Sequence, residues 1–316
     1  MECGRAYSQE VLACEGDHPL SSSDNPQFDP QLPVTNQPLP PPDSPTSATS
    51  DLASSDLIVG SPLALAETSA PRPPRDPAWS GWDVLLIAGL TLVSIVIGGF
   101  FLMLLTHLFV PRVNLTAVAP ELAIAAQFLA YIVVATFMVM LIEGRYHVRF
   151  WQAIKWNWPQ SSWKWLGVGV LLLLSINVVA RFLPMPKSTP FDQFFLKARD
   201  AYLISIFAVT LGPLMEELFF RGLLYPVLAR RVGMFWGIVL TALPFGLVHM
   251  FQYGYAWGVV LLIFLMGVVC TTVRAKTGSV ASSFLVHVGY NGTEMFLLAL
   301  ATQGFQHMEK AVFFLR

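Results

Sequence analysis

Three short polar motifs carry the side chains that could do acid–base chemistry, and the first is a pair of glutamates. Glu216 and Glu217 are followed by Arg221. Glu217 and Arg221 are four residues apart, so on a helix they share one face and can pair. Glu216 points about 100° away from its neighbour and is left without a local partner. A carboxylate in that position can serve as a general base or acid. The alternative is an ion-paired cluster that holds helices together.

The second and third motifs contribute two histidines and an asparagine. Phe245 and His249 are four residues apart and share one helix face. His287 and Asn291 have the same spacing on a later segment. Each motif alone has a structural explanation, because a single histidine is often a hydrogen-bonded core residue and polar side chains also join helices in membranes.

The apolar surroundings give the three motifs their combined weight. A charged side chain at the centre of a bilayer costs about 2.5–3.5 kcal/mol on insertion scales. The glutamate pair, the histidines and the asparagine all fall within a run of apolar segments near the C-terminus. Repeating that cost several times is expected only where the side chains line a shared functional cavity.

The composition predicts that membrane helices position these residues. The 316 residues are 54% hydrophobic and only 12% charged, whereas a soluble domain carries about 25% charged residues. A helix needs about 20 residues to cross about 30 Å of hydrocarbon. Seven apolar runs approach that length, near 83–108, 121–142, 165–184, 201–226, 234–252, 257–273 and 280–300. We predict an all-α, polytopic transmembrane helix bundle of about seven spans, with a range of six to eight.

Short connections complete this helical prediction. The fifth and sixth spans are so close that Tyr253, Gly254 and Tyr255 must form a tight turn. Residues 143–164 mix basic residues with tryptophans, which is typical of a segment on the membrane surface. Residues 185–200 are predicted to form a second surface segment.

The N-terminal 80 residues have a different composition from the rest. They hold fourteen of the 23 prolines and have a net charge of −8, whereas residues 81–316 have a net charge of +7. We predict a disordered, acidic Pro/Ser-rich tail over 1–80 and a membrane-embedded domain over 81–316, with the motifs within 201–300. The three cysteines form no CxxC pair, so neither a disulfide framework nor a thiolate metal site is predicted.

The distribution of lysine and arginine predicts the orientation in the membrane. With the N-terminus inside, the inner loops hold ten basic residues and the outer loops hold six. Inner loops are enriched in basic residues. We therefore predict a multi-pass protein of the cell membrane with a cytoplasmic N-terminus.

The three motifs together resemble a known family. The combination EExxxR, FxxxH and HxxxN is similar to that of the CPBP or Abi family, which groups CAAX prenyl proteases with bacteriocin-processing and bacteriocin-immunity proteins. The motifs are intact and in family order, and the resemblance covers roughly residues 165–300.

The resemblance implies a role for each motif residue. Glu216 would activate the attacking water, and His249 would assist as a base or ligand. His287 and Asn291 would stabilise the oxyanion. Glu217 is included among the catalytic residues, and its pair with Arg221 would hold the first helix in position. Phe245 would orient the neighbouring side chains. Two mechanisms are left open. In one, a zinc ion is held by Glu216, His249 and His287; in the other, Glu216 acts without a metal.

The function that follows is an intramembrane endopeptidase, with CAAX-type processing implied by the resemblance. Its predicted partners are membrane lipids and a protein or peptide substrate, lipidated by analogy, and nucleic acid is not expected. A catalytically silent immunity or scaffold protein and a proton-coupled transporter are the alternatives. The absence of an internal repeat in the sequence counts against the transporter.

Overall fold

A computed structural model describes residues 76–110 and 112–309, and within these ranges the chain is helical without strands. The all-α prediction is confirmed, and residues 1–75 of the tail predicted over 1–80 lie outside the described residues. The α-helices are α1 (Gly81–Phe109), α2 (Ala119–Met140), α3 (Phe150–Ala153), α4 (Ser162–Ala180), α5 (Ala198–Val209), α6 (Leu211–Glu216), α7 (Tyr225–Val248), α8 (Trp257–Thr277) and α9 (Val280–Ala301). Two π-helical segments, Leu141–Arg145 and Glu217–Leu224, and two 3₁₀ turns, Leu115–Ala117 and Pro190–Phe195, lie between them.

Six helical stretches in the described residues are long and apolar enough to cross a membrane. One of them, Ala198–Val248, has 51 residues, so a straight helix would be about 76 Å long, more than twice the hydrocarbon thickness. It is not straight, because Gly233 has a φ of 80° and a ψ of 171° inside α7. A Cβ built on Gly237 would lie 2.9 Å from the Cα of Ala229, so the chain folds back on itself at Gly233. This stretch therefore consists of two helical arms on either side of Gly233, and the six candidate spans among the described residues lie within the predicted range of six to eight.

The turn predicted after the fifth span is confirmed, but it begins earlier. α7 ends at Val248, and turns occupy residues 249–255 before α8 begins at Trp257. Gly254 and Tyr255 have φ values of 61° and 63°. The two left-handed residues reverse the chain, which removes residues 249–252 from the predicted span of 234–252.

Trp79, two residues before α1 begins, is packed in the protein interior. It is 1% exposed, and its Nε1 donates a hydrogen bond to the carbonyl of Leu223 at 2.9 Å. Trp82, three residues later, is 80% exposed. The packed part of the chain therefore includes Pro77 and Trp79, which lie before residue 81.

Two glycines let α4 and α9 approach to backbone contact. A Cβ on Gly169 would lie 2.2 Å from the carbonyl oxygen of Val286, and one on Gly289 would lie 2.4 Å from that of Leu166. Small residues of this kind allow close helix packing in membranes, where no hydrophobic effect drives association. Close packing against α4 fixes the position of α9, which carries the third motif.

Candidate active site

The glutamate motif lies where an α-helix widens into a π-helix. α5 ends at Val209, and the chain bends at Thr210, whose φ and ψ are −115° and −78°. Pro213 follows in the first turn of α6, where a proline is tolerated. Glu216 is the last residue of α6, and the π-helical segment begins at Glu217. π-helical turns are rare and occur frequently at functional sites.

Glu217 is completely buried, and both of its carboxylate oxygens are engaged. Oε1 accepts hydrogen bonds from Nη1 of Arg221 at 2.8 Å and from Nδ1 of His287 at 3.0 Å. Oε2 accepts from the hydroxyl of Ser283. The predicted Glu217–Arg221 pair is present, and it joins the first motif to the third. With no free oxygen and no exposure, Glu217 has the surroundings of a positioning residue.

Arg221 connects the glutamate motif to α8 and to Phe245. Its Nε donates to the hydroxyl of Thr271 at 3.2 Å, and its Nη2 donates to the carbonyl of Gly267 at 3.0 Å. The guanidinium carbon lies 4.3 Å from the centre of the Phe245 ring, within the range of a cation–π interaction. Arg221 is 0% exposed, so this buried charge is compensated by Glu217 and by neutral acceptors.

Glu216 is the accessible carboxylate, and both histidines present a nitrogen to it. Its Oε1 is 3.8 Å from Nε2 of His249, and its Oε2 is 3.6 Å from Nε2 of His287. Its side chain is 24% exposed, whereas that of His287 is 3% exposed. The structure therefore brings together the acidic group, left without a local partner in the sequence, and the histidines of the other two motifs.

The partners of the histidines define their tautomers. Nδ1 of His249 lies 2.8 Å from the carbonyl of Phe245, and Nδ1 of His287 faces the carboxylate of Glu217. Both partners only accept hydrogen bonds, so each Nδ1 carries the proton. In the neutral rings, each Nε2 therefore presents a lone pair toward Glu216.

Phe245 and Asn291 occupy different surroundings. Phe245 is 1% exposed, and its ring centre is 5.3 Å from that of His249 and 5.9 Å from that of His287. This contact with both histidine rings agrees with an orienting role. Asn291 donates through Nδ2 to the carbonyl of Ala208 on α5 at 2.7 Å. One of its two N–H hydrogens therefore joins α9 to α5, and the other has no hydrogen-bond partner among the described residues.

Sequence reasoning missed Ser283 and Thr271. Ser283 lies four residues before His287 on the same face of α9, and this spacing could have identified it. Thr271 gave no such signal, because the sequence does not indicate which α8 residue faces Arg221. Both are 0% exposed, so each satisfies a buried polar partner.

The side chains predicted to hold zinc, those of Glu216, His249 and His287, lie slightly farther apart than a zinc ion requires. Two ligands at about 2.0–2.1 Å from a tetrahedral zinc lie about 3.4 Å apart, which is shorter than both measured separations from Glu216, 3.6 and 3.8 Å. Among the described residues, no three His, Cys, Asp or Glu side chains form a group that could hold a metal ion. As placed, the three side chains do not fit such a site.

An apolar groove of about 340 Å³ lies between α2 and the segment of α5 and α6 that leads to Glu216. Its lining residues are Glu121, Ile124, Ala125, Phe128, Leu203, Ile206, Phe207, Thr210 and Leu211. At the Glu121 end, that carboxylate pairs with Arg199 at 2.7 Å and Lys197 at 3.4 Å. At the other end, Leu211 begins the six-residue helix that ends at Glu216.

Comparison with known proteins agrees with the motifs. Residues 198–293 match the family model described as type II CAAX prenyl endopeptidase Rce1-like. No curated protein and no solved structure matches the chain. The matched range begins with α5 and includes all three motifs, as the resemblance to CAAX proteases predicted. The segment from residue 198 to residue 293 is therefore similar to the Rce1-like family of type II CAAX prenyl endopeptidases.

Proposed function

We propose that this chain is an intramembrane endopeptidase that cleaves a membrane-associated, lipid-modified peptide with a water molecule activated by Glu216. One observation carries the proposal. A partly exposed carboxylate faces Nε2 of two histidines whose Nδ1 atoms are both held by protein acceptors. The family match to CAAX prenyl endopeptidases supports the reaction class.

The separations at Glu216 suit a bridging water. At 3.6 and 3.8 Å, the carboxylate and the two nitrogens are too far apart for good direct hydrogen bonds. All three are acceptors, so a water between them donates one hydrogen to Glu216 and the other to a histidine. Its oxygen lone pair then points away from both groups, toward the space where a substrate carbonyl would lie.

The hydrolysis follows general acid–base catalysis. Glu216 removes a proton as the water oxygen forms a bond to the carbonyl carbon, which produces a tetrahedral intermediate with an oxyanion. The C–N bond then breaks, and the protonated Glu216 delivers its proton to the leaving amine. We assign oxyanion stabilisation to the second N–H of Asn291. His287 holds the water beside Glu216 through the lone pair of its Nε2. Glu217, Arg221 and Phe245 act through the histidines and hold them in position.

The groove between α2 and α5 supports a substrate with an apolar chain. Its walls are almost entirely apolar, and it approaches the helix that ends at Glu216. A lipid chain in the groove would hold the attached peptide beside the catalytic carboxylate, which favours reaction by proximity. We propose CAAX-type cleavage near a lipidated C-terminus on this basis. From the distribution of basic residues, we propose a cell membrane as the location, with the N-terminus on the cytoplasmic side.

The experiment is a cleavage assay with the purified protein in lipid nanodiscs. Two peptides of identical sequence are compared, one with a prenylated cysteine near its C-terminus and one with a free cysteine. We expect mass spectrometry to detect cleavage of the prenylated peptide and much slower cleavage of the other. Equal rates would remove the lipid requirement, and absence of cleavage across a library of lipidated peptides would favour the silent scaffold. Metal analysis of the active protein separately tests the zinc prediction.

A further inference from the structure

A second cavity lies away from the catalytic network, between residues 76–79 and the turn into α3. It has a volume of about 520 Å³, and we call it the α3 cavity. Its lining residues are Asp76, Pro77, Ala78, Trp79, His147, Val148, Arg149, Gln152, Ala153 and Lys155. None of them belongs to the three motifs. Several of these side chains are hydrogen-bond donors, as expected of a site for an anion.

Positive charge exceeds negative charge in the lining of the α3 cavity. Lys155 pairs with Asp76 at 2.8 Å, so the charges of this ammonium and this carboxylate cancel. Arg149 lines the same cavity and makes no ion pair among the described residues. His147 lies two residues before it and adds a ring nitrogen that can donate a hydrogen bond to an anion. The side chain of Arg149 is therefore available to an anionic ligand.

A buried arginine next to the cavity wall adds to this positive charge. Arg274 of α8 is 5% exposed, and its Nε has no hydrogen-bond partner in the described part of the chain. Its Nη2 lies 3.4 Å from the carbonyl of Ile154, a residue between two cavity-lining residues. A buried charge without a paired carboxylate is costly, and an anion in the adjacent cavity would offset this cost.

The position of the cavity corresponds to the level of lipid headgroups. The cavity lies just before α1 begins at Gly81 and before α4 begins at Ser162, so it is at the ends of two membrane-crossing helices. Trp151, Trp158 and Trp163 lie in the same region and are 49%, 60% and 72% exposed. Exposed tryptophans of this kind are enriched at the membrane–water interface.

We infer that the α3 cavity binds the phosphate-containing headgroup of an anionic phospholipid. Arg149 and His147 contact the phosphate, and the charge of Arg274 behind the wall strengthens its attraction. Basic pockets at the ends of transmembrane helices bind such headgroups in the same way. The inference does not depend on the proposed peptidase activity, and it is tested by binding alone.

The test uses the full chain in detergent and native mass spectrometry during titration with phosphatidylglycerol or phosphatidylcholine. We expect phosphatidylglycerol to bind more tightly than phosphatidylcholine, and Arg149→Gln to weaken its binding about fivefold. Lys164→Gln is the matched control, because it removes the same charge from an exposed position beside Trp163. Binding of phosphatidylglycerol to Lys164→Gln should be the same as to the wild type. If Arg149→Gln unfolds the protein, His147→Gln replaces it as the test variant and should also weaken phosphatidylglycerol binding, because it changes a second side chain that lines the cavity.

Three results would overturn the inference. Equal affinity of the wild type for the two lipids would show that no headgroup is selected. An equal loss in Arg149→Gln and Lys164→Gln would show diffuse surface attraction. Competition by glycerol 3-phosphate at the affinity of the lipid would identify a soluble phosphate ligand instead of a membrane lipid.

Discussion

Replacement of Glu217 by glutamine is expected to destabilise the protein strongly, although it changes only one atom type. The carboxylate accepts hydrogen bonds from Arg221, His287 and Ser283, and all four side chains are buried. A glutamine amide would direct N–H donors at another donor and would leave the Arg221 charge without its counterion. Breaking a buried pair by removing one partner costs about 3–5 kcal/mol.

The assay is reversible unfolding in mixed micelles, followed by tryptophan fluorescence. Ser283→Ala is the matched control, because it removes one hydrogen bond to the same carboxylate without removing its charge. Its expected cost is about 1–3 kcal/mol. The double variant Glu217→Gln/Arg221→Met removes both charges, and we expect it to be more stable than Glu217→Gln alone.

Two results would refute this reasoning. If Glu217→Gln unfolds within about 0.5 kcal/mol of the wild type, the carboxylate does not compensate a buried arginine. If the changes in unfolding free energy caused by Glu217→Gln and Arg221→Met simply add in the double variant, Glu217 and Arg221 do not interact in the folded protein.

Three further predictions concern the catalytic histidine, the helix packing and the orientation. His249→Gln should lower the cleavage rate about 10²-fold or more, because the ring faces the proposed bridging water. The unfolding midpoint should be unchanged, because the ring makes only one hydrogen bond among the described residues. A cleavage rate within threefold of wild type would contradict this prediction. Gly169→Ala should cost about 1–3 kcal/mol of stability, since its Cβ would clash with the carbonyl of Val286, whereas Gly167→Ala, with open space around it, should not. An impermeant maleimide should label Cys14 only after cells are permeabilised, and labelling of intact cells would place the N-terminus outside.

The sequence predicted the local pairings of the site but not its tertiary contacts. Glu217 and Arg221 pair as their spacing indicated, because that contact stays within one helical segment. His287 and Asn291 have the same spacing, yet one contacts Glu217 and the other contacts Ala208. Which neighbour each side chain meets depends on how α9 packs, and helix periodicity carries no information about this.

Other features were hidden for the same physical reason. A tryptophan at the start of an apolar run is typical of a membrane interface, but the Trp79 ring is buried because Leu223 offers it a carbonyl. Nothing in the sequence distinguishes Thr271 from the other residues of α8. It joins the network only because Arg221 packs against it. The boundary between the fourth and fifth spans was predictable, since Gly233 can adopt the positive φ that reverses the chain.

The central claim is that Glu216 activates the water, and its most direct test is the cleavage rate of Glu216→Gln beside Glu143→Gln. The second variant makes the same chemical change at a glutamate whose Oε1 accepts from the backbone N–H of Phe150, outside the site. We expect the rate of Glu216→Gln to fall about 10²–10⁴-fold, with both variants folded and Glu143→Gln as active as the wild type. Cleavage by folded Glu216→Gln at more than a tenth of the wild-type rate would contradict the account.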